Sequence, residues 1–311
     1  MKNYFDFTLT GKRLLPIWIF LYIVVIIPYF INYYQMTVSP PDGGPKTLSS
    51  LFLFLIMMVG YLAIFYFIKI AIESVRFKDN NIHFDGQFLT YIGKLLLGFV
   101  LSIVTLCIYM AWFIKDISKF FCNNSTLNSE RFQFMGKGLR LFIILLLTLF
   151  LPLIILIILN IKFLYTTNQS LIDLIFFEGI LMIILIPYLY YCYKWMVDIQ
   201  YKSYSIKWRT KFVDSIFKIL IEFLLTIITC GIYLPMACLR LFKYFSERTF
   251  AENEDTTLQF GFEFEVKKDF LFIWGQLLLT IITLGIYYPW AFSNIGRRFL
   301  KQTYLIKINA A

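Results

Sequence analysis

The sequence predicts an all-α polytopic membrane protein with internal repeats, and three observations carry that prediction. Hydrophobic residues fill 59% of the 311 positions, aromatics 20%, and the mean hydropathy is +0.73; soluble domains hold about 45–50% apolar residues. About seven apolar stretches run at 14–34, 48–68, 95–114, 139–161, 174–193, 219–239 and 270–292. Each approaches the ~20 residues a helix needs to cross a hydrocarbon core. Finally, the run Leu278-Leu279-Thr280-Ile281-Ile282-Thr283-Leu284-Gly285-Ile286-Tyr287-Tyr288-Pro289-Trp290 recurs. A close copy spans Leu224 to Met236, and a worn one spans Leu101 to Trp112.

Taken in order, the first stretch holds Pro16 and Pro28 with no small-residue cleavage site after it, so it is not read as a signal peptide. Alternating aromatic segments at Phe5–Phe7, Ile82–Gly86, Phe132–Phe134, Tyr204–Trp208 and Phe260–Phe264 predict short strand-like cytoplasmic connectors. Phe5 and Phe132, Lys69 and Lys194, Tyr109 and Tyr233 recur at about 125 residues. That spacing divides the chain into units 1–128, 129–257 and 258–311, expected to pack as one membrane domain.

Each motif reads as an apolar helix with hydroxyls at i and i+3, then a break. Gly231 and Gly285 can take a left-handed cap, and Pro235 and Pro289 cannot continue a helix. In the first copy Cys107 and Ala111 replace Gly and Pro, and no sharp kink is expected there. Beyond each break lie Lys119, Lys243, Arg297 and Arg298, expected on basic amphipathic helices against lipid headgroups.

Orientation depends on those breaks. Seven crossings from a cytoplasmic N-terminus would leave 16 of the 29 basic residues outside, against the positive-inside tendency. If the motif segments turn back, only Lys46 and Lys162 face out. The re-entrant reading is preferred, although 270–292 is long enough to cross.

Several residues are candidates for function. Thr226 with Thr229 and Thr280 with Thr283 could line a polar path, or could back-bond to helix carbonyls. Glu178 is an ionisable group inside an apolar stretch without a cation four residues away, and joins that path as a candidate. Tyr109, Trp112, Tyr233, Tyr287 and Trp290 are expected as anchors at the headgroup level. Lys218 and Glu222 predict a helix-surface pair. Lys69 with Glu73 and Lys194 with Asp198 predict helix-end pairs.

His83 is the only histidine, and HExxH, GxSxG and P-loop patterns are absent, so no metal site, cofactor or enzyme is expected, a carboxylate-based membrane enzyme being the alternative left open. The five cysteines are read as small buried hydrophobes. The net charge of +10 points to the bilayer and its anionic lipid headgroups, not to nucleic acid.

The motif from Leu278 to Ala291 resembles the hallmark of the YjgN-like bacterial inner-membrane proteins, a domain family of unknown function. Arg131-Phe132-Gln133-Phe134-Met135-Gly136-Lys137-Gly138, followed by Leu141-Phe142, resembles that family's second signature. The resemblance implies a multi-pass inner-membrane protein and supplies no activity. The duplicated halves and broken helices lean toward a transporter or channel-like protein. The alternative is a non-catalytic scaffold that binds anionic lipid or a partner.

Overall fold

The computed structural model describes residues 2–38, 50–164 and 171–308. The chain opens with β1 (Asn3–Phe7), α1 (Gly11–Leu21), a π turn at Tyr22–Ile26, α2 (Ile27–Val38) and α3 (Ser50–Glu73). Then come β2 (Val75–Phe77), β3 (Asn80–Asn81), β4 (His83–Phe84), α4 (Phe88–Val104) and α5 (Met110–Asn123). The middle holds β5 (Ser125–Leu127), β6 (Glu130–Phe134), α6 (Gly138–Leu145), a second π turn at Leu146–Phe150, α7 (Leu151–Leu164) and α8 (Leu171–Met196). The last part runs β7 (Ile199–Tyr201), β8 (Tyr204–Trp208), α9 (Phe212–Ile228), α10 (Leu234–Ser246), β9 (Thr249–Glu252) and β10 (Thr257–Phe262). It closes with α11 (Val266–Ile282), α12 (Tyr288–Lys301) and β11 (Thr303–Ile308).

Two parts of the predicted fold class are corrected. The protein is not all-α: among the described residues eleven strands join the helices. Nor does it have seven spanning segments. Four are long and apolar enough to cross a membrane among the described residues: Gly11–Gln35, Phe52–Glu73, Gly138–Ile158 and Gly179–Met196. The other three apolar stretches carry the motif, and each breaks after a 17-residue helix. At 1.5 Å per residue that is about 26 Å, short of the ~30 Å core.

Both π turns sit just before a proline, Pro28 in one case and Pro152 in the other. A proline ring crowds the carbonyl four residues back, and the wider π turn makes room for it. The long helices therefore continue past their prolines.

Contacts divide the chain into two compact units. One comprises Met1–Asn3, Asp85–Val266 and Thr303–Ala311. Its strands follow the order β5-β6-β7-β8-β9-β10-β11 with antiparallel neighbours. The longest pairing, β10 with β11, runs from Thr257↔Ile308 to Phe262↔Thr303. Tight hairpins turn through left-handed residues, Asn128 and Ser129 among them, whose twist suits two-residue connections. The core gathers Ala111, Phe134, Leu141, Ile144 and Leu145 around fully buried Trp195. Its indole Nε1 donates to the Lys137 carbonyl at 3.0 Å.

The other unit comprises Tyr4–Phe84 and Lys267–Gln302. Its strands pair as β1-β2-β3, with Phe5 opposite Phe77 and Asp6 opposite Arg76. Phe7, Leu9 and Leu14 form its core, with Phe67, Ile70 and Phe292 packed around them.

In each unit the first residue of a long helix is a glycine covered by a tryptophan. A Cβ on Gly138 would stand 2.7 Å from Trp112 Cδ1, and one on Gly11 would stand 2.5 Å from Trp290 Cδ1 and 2.9 Å from its Cα. A larger residue would have to push the motif helix away. Gly138→Val should therefore destabilise the full chain by about 1–3 kcal/mol, read as a lower unfolding temperature in detergent. Gly93, mid-helix with nothing within 4 Å of an added Cβ, is the control. Gly93→Ala should be neutral or stabilise by up to ~1 kcal/mol.

Candidate functional site

The motif segments fold into three helical hairpins: α4 with α5, α9 with α10, and α11 with α12. The first helix of each has 17 residues, and the turn that follows is built the same way three times. Two consecutive residues are left-handed: Leu106 (φ 49°) and Cys107 (φ 67°), Cys230 (φ 50°) and Gly231 (φ 85°), Leu284 (φ 51°) and Gly285 (φ 89°). The amide of the second reaches five residues back, Cys107 to the Ser102 carbonyl (2.7 Å), Gly231 to Thr226 (2.8 Å) and Gly285 to Thr280 (2.7 Å). That is the closing bond of a Schellman cap.

The first copy thus makes the same sharp break, contrary to the expectation from Cys107 and Ala111. A non-glycine residue there costs roughly 1–2 kcal/mol, which the cap bonds offset. Pro235 and Pro289 do not kink a helix. They stand in the first turn of α10 and α12, where their missing N–H would find no helical partner anyway.

The paired hydroxyls are engaged in the turn itself. Thr229 Oγ1 donates to the Leu225 carbonyl (2.8 Å) and accepts the Tyr233 amide (3.0 Å). Thr283 does the same with Leu279 (2.8 Å) and Tyr287 (3.0 Å), and Thr105 with Leu101 (2.7 Å) and Tyr109 (2.9 Å). Thr226 and Thr280 donate back to the carbonyls of Glu222 and Gln276, both at 2.8 Å.

Just inside each turn the tyrosine bonds a polar side chain. In the second hairpin Tyr233 donates to Glu222 Oε2 at 2.8 Å, while Lys218 donates to Glu222 Oε1 at 2.6 Å and Arg240 lies 3.9 Å away. Glu222 is only 1% exposed. The expected surface pair is therefore a buried carboxylate reached by two cations. In the third hairpin Gln276 takes that place, accepting from Tyr287 (3.2 Å) and Asn294 (3.0 Å). In the first, Tyr109 points to Asp116 on the other helix at 3.4 Å, with Lys115 2.6 Å from that carboxylate. Phe113 packs over Gly98 there instead.

Burial pushes the Tyr233 hydroxyl up to about 12, with Glu222 adding to the shift and Arg240 opposing it. The phenol stays a neutral donor at physiological pH. Burial, then the charge of Asp116, raise Tyr109 as well.

A second rung lies nearer the strands. Buried Asp269 accepts from Arg298 (2.5 Å) and Gln302 (2.9 Å). The corresponding contact in the second hairpin is Ser215 to Tyr244 at 3.0 Å, and in the first Tyr91 against Phe120 at 5.8 Å. Sequence reading found the Lys218–Glu222 pair but missed the contacts across the hairpins. The offsets that align Tyr109, Tyr233 and Tyr287 also align Gly98, Glu222 and Gln276, and equally Asp116, Arg240 and Asn294. That alignment was the available signal.

The remaining candidates scatter. Trp112 and Trp290 stack on Tyr109 and Tyr287 (6.3 and 5.8 Å) and cover glycines. Arg297 bonds the carbonyls of Phe7 (3.2 Å) and Leu9 (2.7 Å), and Arg298 bonds Asp269. Lys119 and Lys243 are exposed, the latter 3.7 Å from Glu247. Asp198 pairs with Arg140 at 3.9 Å. The side chain of Glu178 lies outside the described residues. Cys107, Cys230 and Cys238 are exposed, not buried. Among the described residues no group of three His, Cys, Asp or Glu is placed to hold a metal ion.

The turns themselves are apolar and bare. Leu106 is 88% exposed, Leu284 79%, Ile282 75% and Ile228 74%. Exposed apolar tips, together with four helices long and apolar enough to cross a membrane among the described residues, point to a membrane protein. Residues 79–210 match a family of bacterial proteins of unknown function (DUF898), in line with the resemblance to the YjgN-like proteins. Residues 205–306 match a second family of unknown function (DUF6693). No match was found among curated proteins or solved structures.

Glu222 offers both oxygens to partners already in place, so replacing it breaks a closed network. Glu222→Gln should lower stability by about 1–3 kcal/mol and Tyr233→Phe by about 1 kcal/mol. Thermal unfolding of the full chain should give a double variant less destabilised than the sum. Additive losses would mean that the two groups are not coupled.

Proposed function

We propose that this protein is a non-catalytic scaffold of the bacterial inner membrane. It crosses the bilayer four times and lays its three hairpins into the leaflet on the side of its strands. The hairpin tips carry this reading, because Leu106, Ile228, Ile282 and Leu284 are apolar and bare in three copies of one turn. Water would disfavour such a surface, and lipid would accept it.

Charge supports the orientation. With four crossings and returning hairpins, all 29 basic residues except Lys46 and Lys162 fall on the N-terminal side. Positive-inside then makes that side cytoplasmic, and exposed Lys119 and Lys243 face anionic headgroups. The reading of units 1–128, 129–257 and 258–311 as duplicated modules fits the three like-built turns.

A transport role has less support. A polar route needs hydroxyls free to face it, yet Thr226, Thr229, Thr280 and Thr283 bond their own helix.

Thiol accessibility tests the reading in a chain freed of its own cysteines. Glu130→Cys and Asp255→Cys should react with an impermeant reagent only after the cells are opened. Ile232→Cys, at a tip, should stay protected in both states. Labelling of Glu130→Cys on intact cells would restore crossing motif helices and reverse the preference toward transport.

A further inference from the structure

We propose that the slot between α1 and α3 holds one acyl chain of an anionic glycerophospholipid, with the phosphate on Arg13 and Lys69. The slot has a volume of about 380 Å³ and is lined by Pro16, Ile17 and Phe20 from α1 and by Val59, Ala63 and Tyr66 from α3, among others. Both helices belong to segments long enough to cross a membrane, so the slot opens at hydrocarbon depth.

Helical spacing fixes what stands at its mouth. Arg13 precedes Pro16 and Ile17 by three and four residues, and Lys69 follows Tyr66 by three, so both cations continue the lined faces. They share one carboxylate: Glu73 lies 3.2 Å from Arg13 and 3.9 Å from Lys69. The mouth therefore keeps a surplus positive charge. Both side chains also reach outward, at 52% and 38% exposure, as cations do at the headgroup level.

The helices come together beyond one end of the slot. A Cβ on Gly60 would already stand 3.5 Å from Val25 Cγ2, so the helices meet there. A short slot that ends at this contact suits a flexible chain. It does not suit a second helix, whose ~10 Å diameter needs a continuous seam. Nor does lipid offer a hydrophobic drive for that helix to leave its surroundings. Apolar lining and surplus charge in one feature fit a lipid with a chain and an anionic head.

This inference rests on the membrane reading above but not on the hairpins, and its test separates the two. The full chain is purified in detergent, incubated with phosphatidylglycerol or phosphatidylcholine of identical acyl chains, and weighed by native mass spectrometry. One phosphatidylglycerol should be retained per chain, at least tenfold over phosphatidylcholine. The double variant Arg13→Gln, Lys69→Gln should lose that preference, and Ala63→Leu, which fills the slot, should lose retention of both lipids. Arg13→Lys with Lys69→Arg should keep it. Equal retention of the two lipids by the parent chain would overturn the proposal. So would unchanged retention in the Gln variant, or a dimer that only Ala63→Leu dissolves. Ile232→Asp, at a hairpin tip, should leave retention untouched, so failure of the hairpin reading would appear in the thiol labelling alone.

Discussion

The bond from the Gly231 amide to the Thr226 carbonyl, with its counterparts at Cys107 and Gly285, stops each motif helix after 17 residues. Much else depends on that stop. A helix of that length falls short of a hydrocarbon core, and the left-handed pair sends the chain back toward its start. In the second hairpin α10 then delivers its end to β9, within reach of β8, with which it pairs. Without the return, β8 and β9 would have no common surface on which to meet.

The hydroxyls illustrate how one residue type can suggest two functions. A threonine in an apolar helix satisfies itself through the carbonyl one turn back, and here the second threonine also caps the amide of the tyrosine beyond the turn. The tyrosine is thereby fixed in place, and its phenol reaches a polar partner inside the hairpin. The second and third hairpins thus close their paired hydroxyls on themselves and leave apolar groups outside, while in the first the buried Ser102 hydroxyl has no partner. That division is what a helix pair needs to lie in lipid, since unsatisfied polar atoms are costly there.

The rungs also distinguish hairpins that share one backbone plan. Glu222 with two cations, Gln276 with an amide, and Asp116 on the opposite helix occupy related places with different charge. The tryptophan–glycine contacts add a further constraint. Trp112 seats its hairpin on Gly138, and Trp290 seats its own on Gly11, so the last hairpin packs with the first long helix. Linear order along the chain would have given each hairpin to the helices just before it.

By itself the sequence determined the membrane class, the position of the second and third breaks and the family resemblance. Apolar length, glycine, proline and recurring spacing are local signals, and local chemistry acts on them directly. It also indicated strand-like pieces at Phe5–Phe7, Phe132–Phe134 and Tyr204–Trp208. Their partners at 75–77, 199–201 and 249–252 escaped notice, because strands of three or four residues become stable only when distant segments pair with them. Only the tertiary structure decided that the motif stretches turn back and that the connectors build sheets. Apolar stretches of similar composition became either spanning helices or hairpins. A two-residue left-handed turn, set by hydrogen bonds across five residues, made the difference.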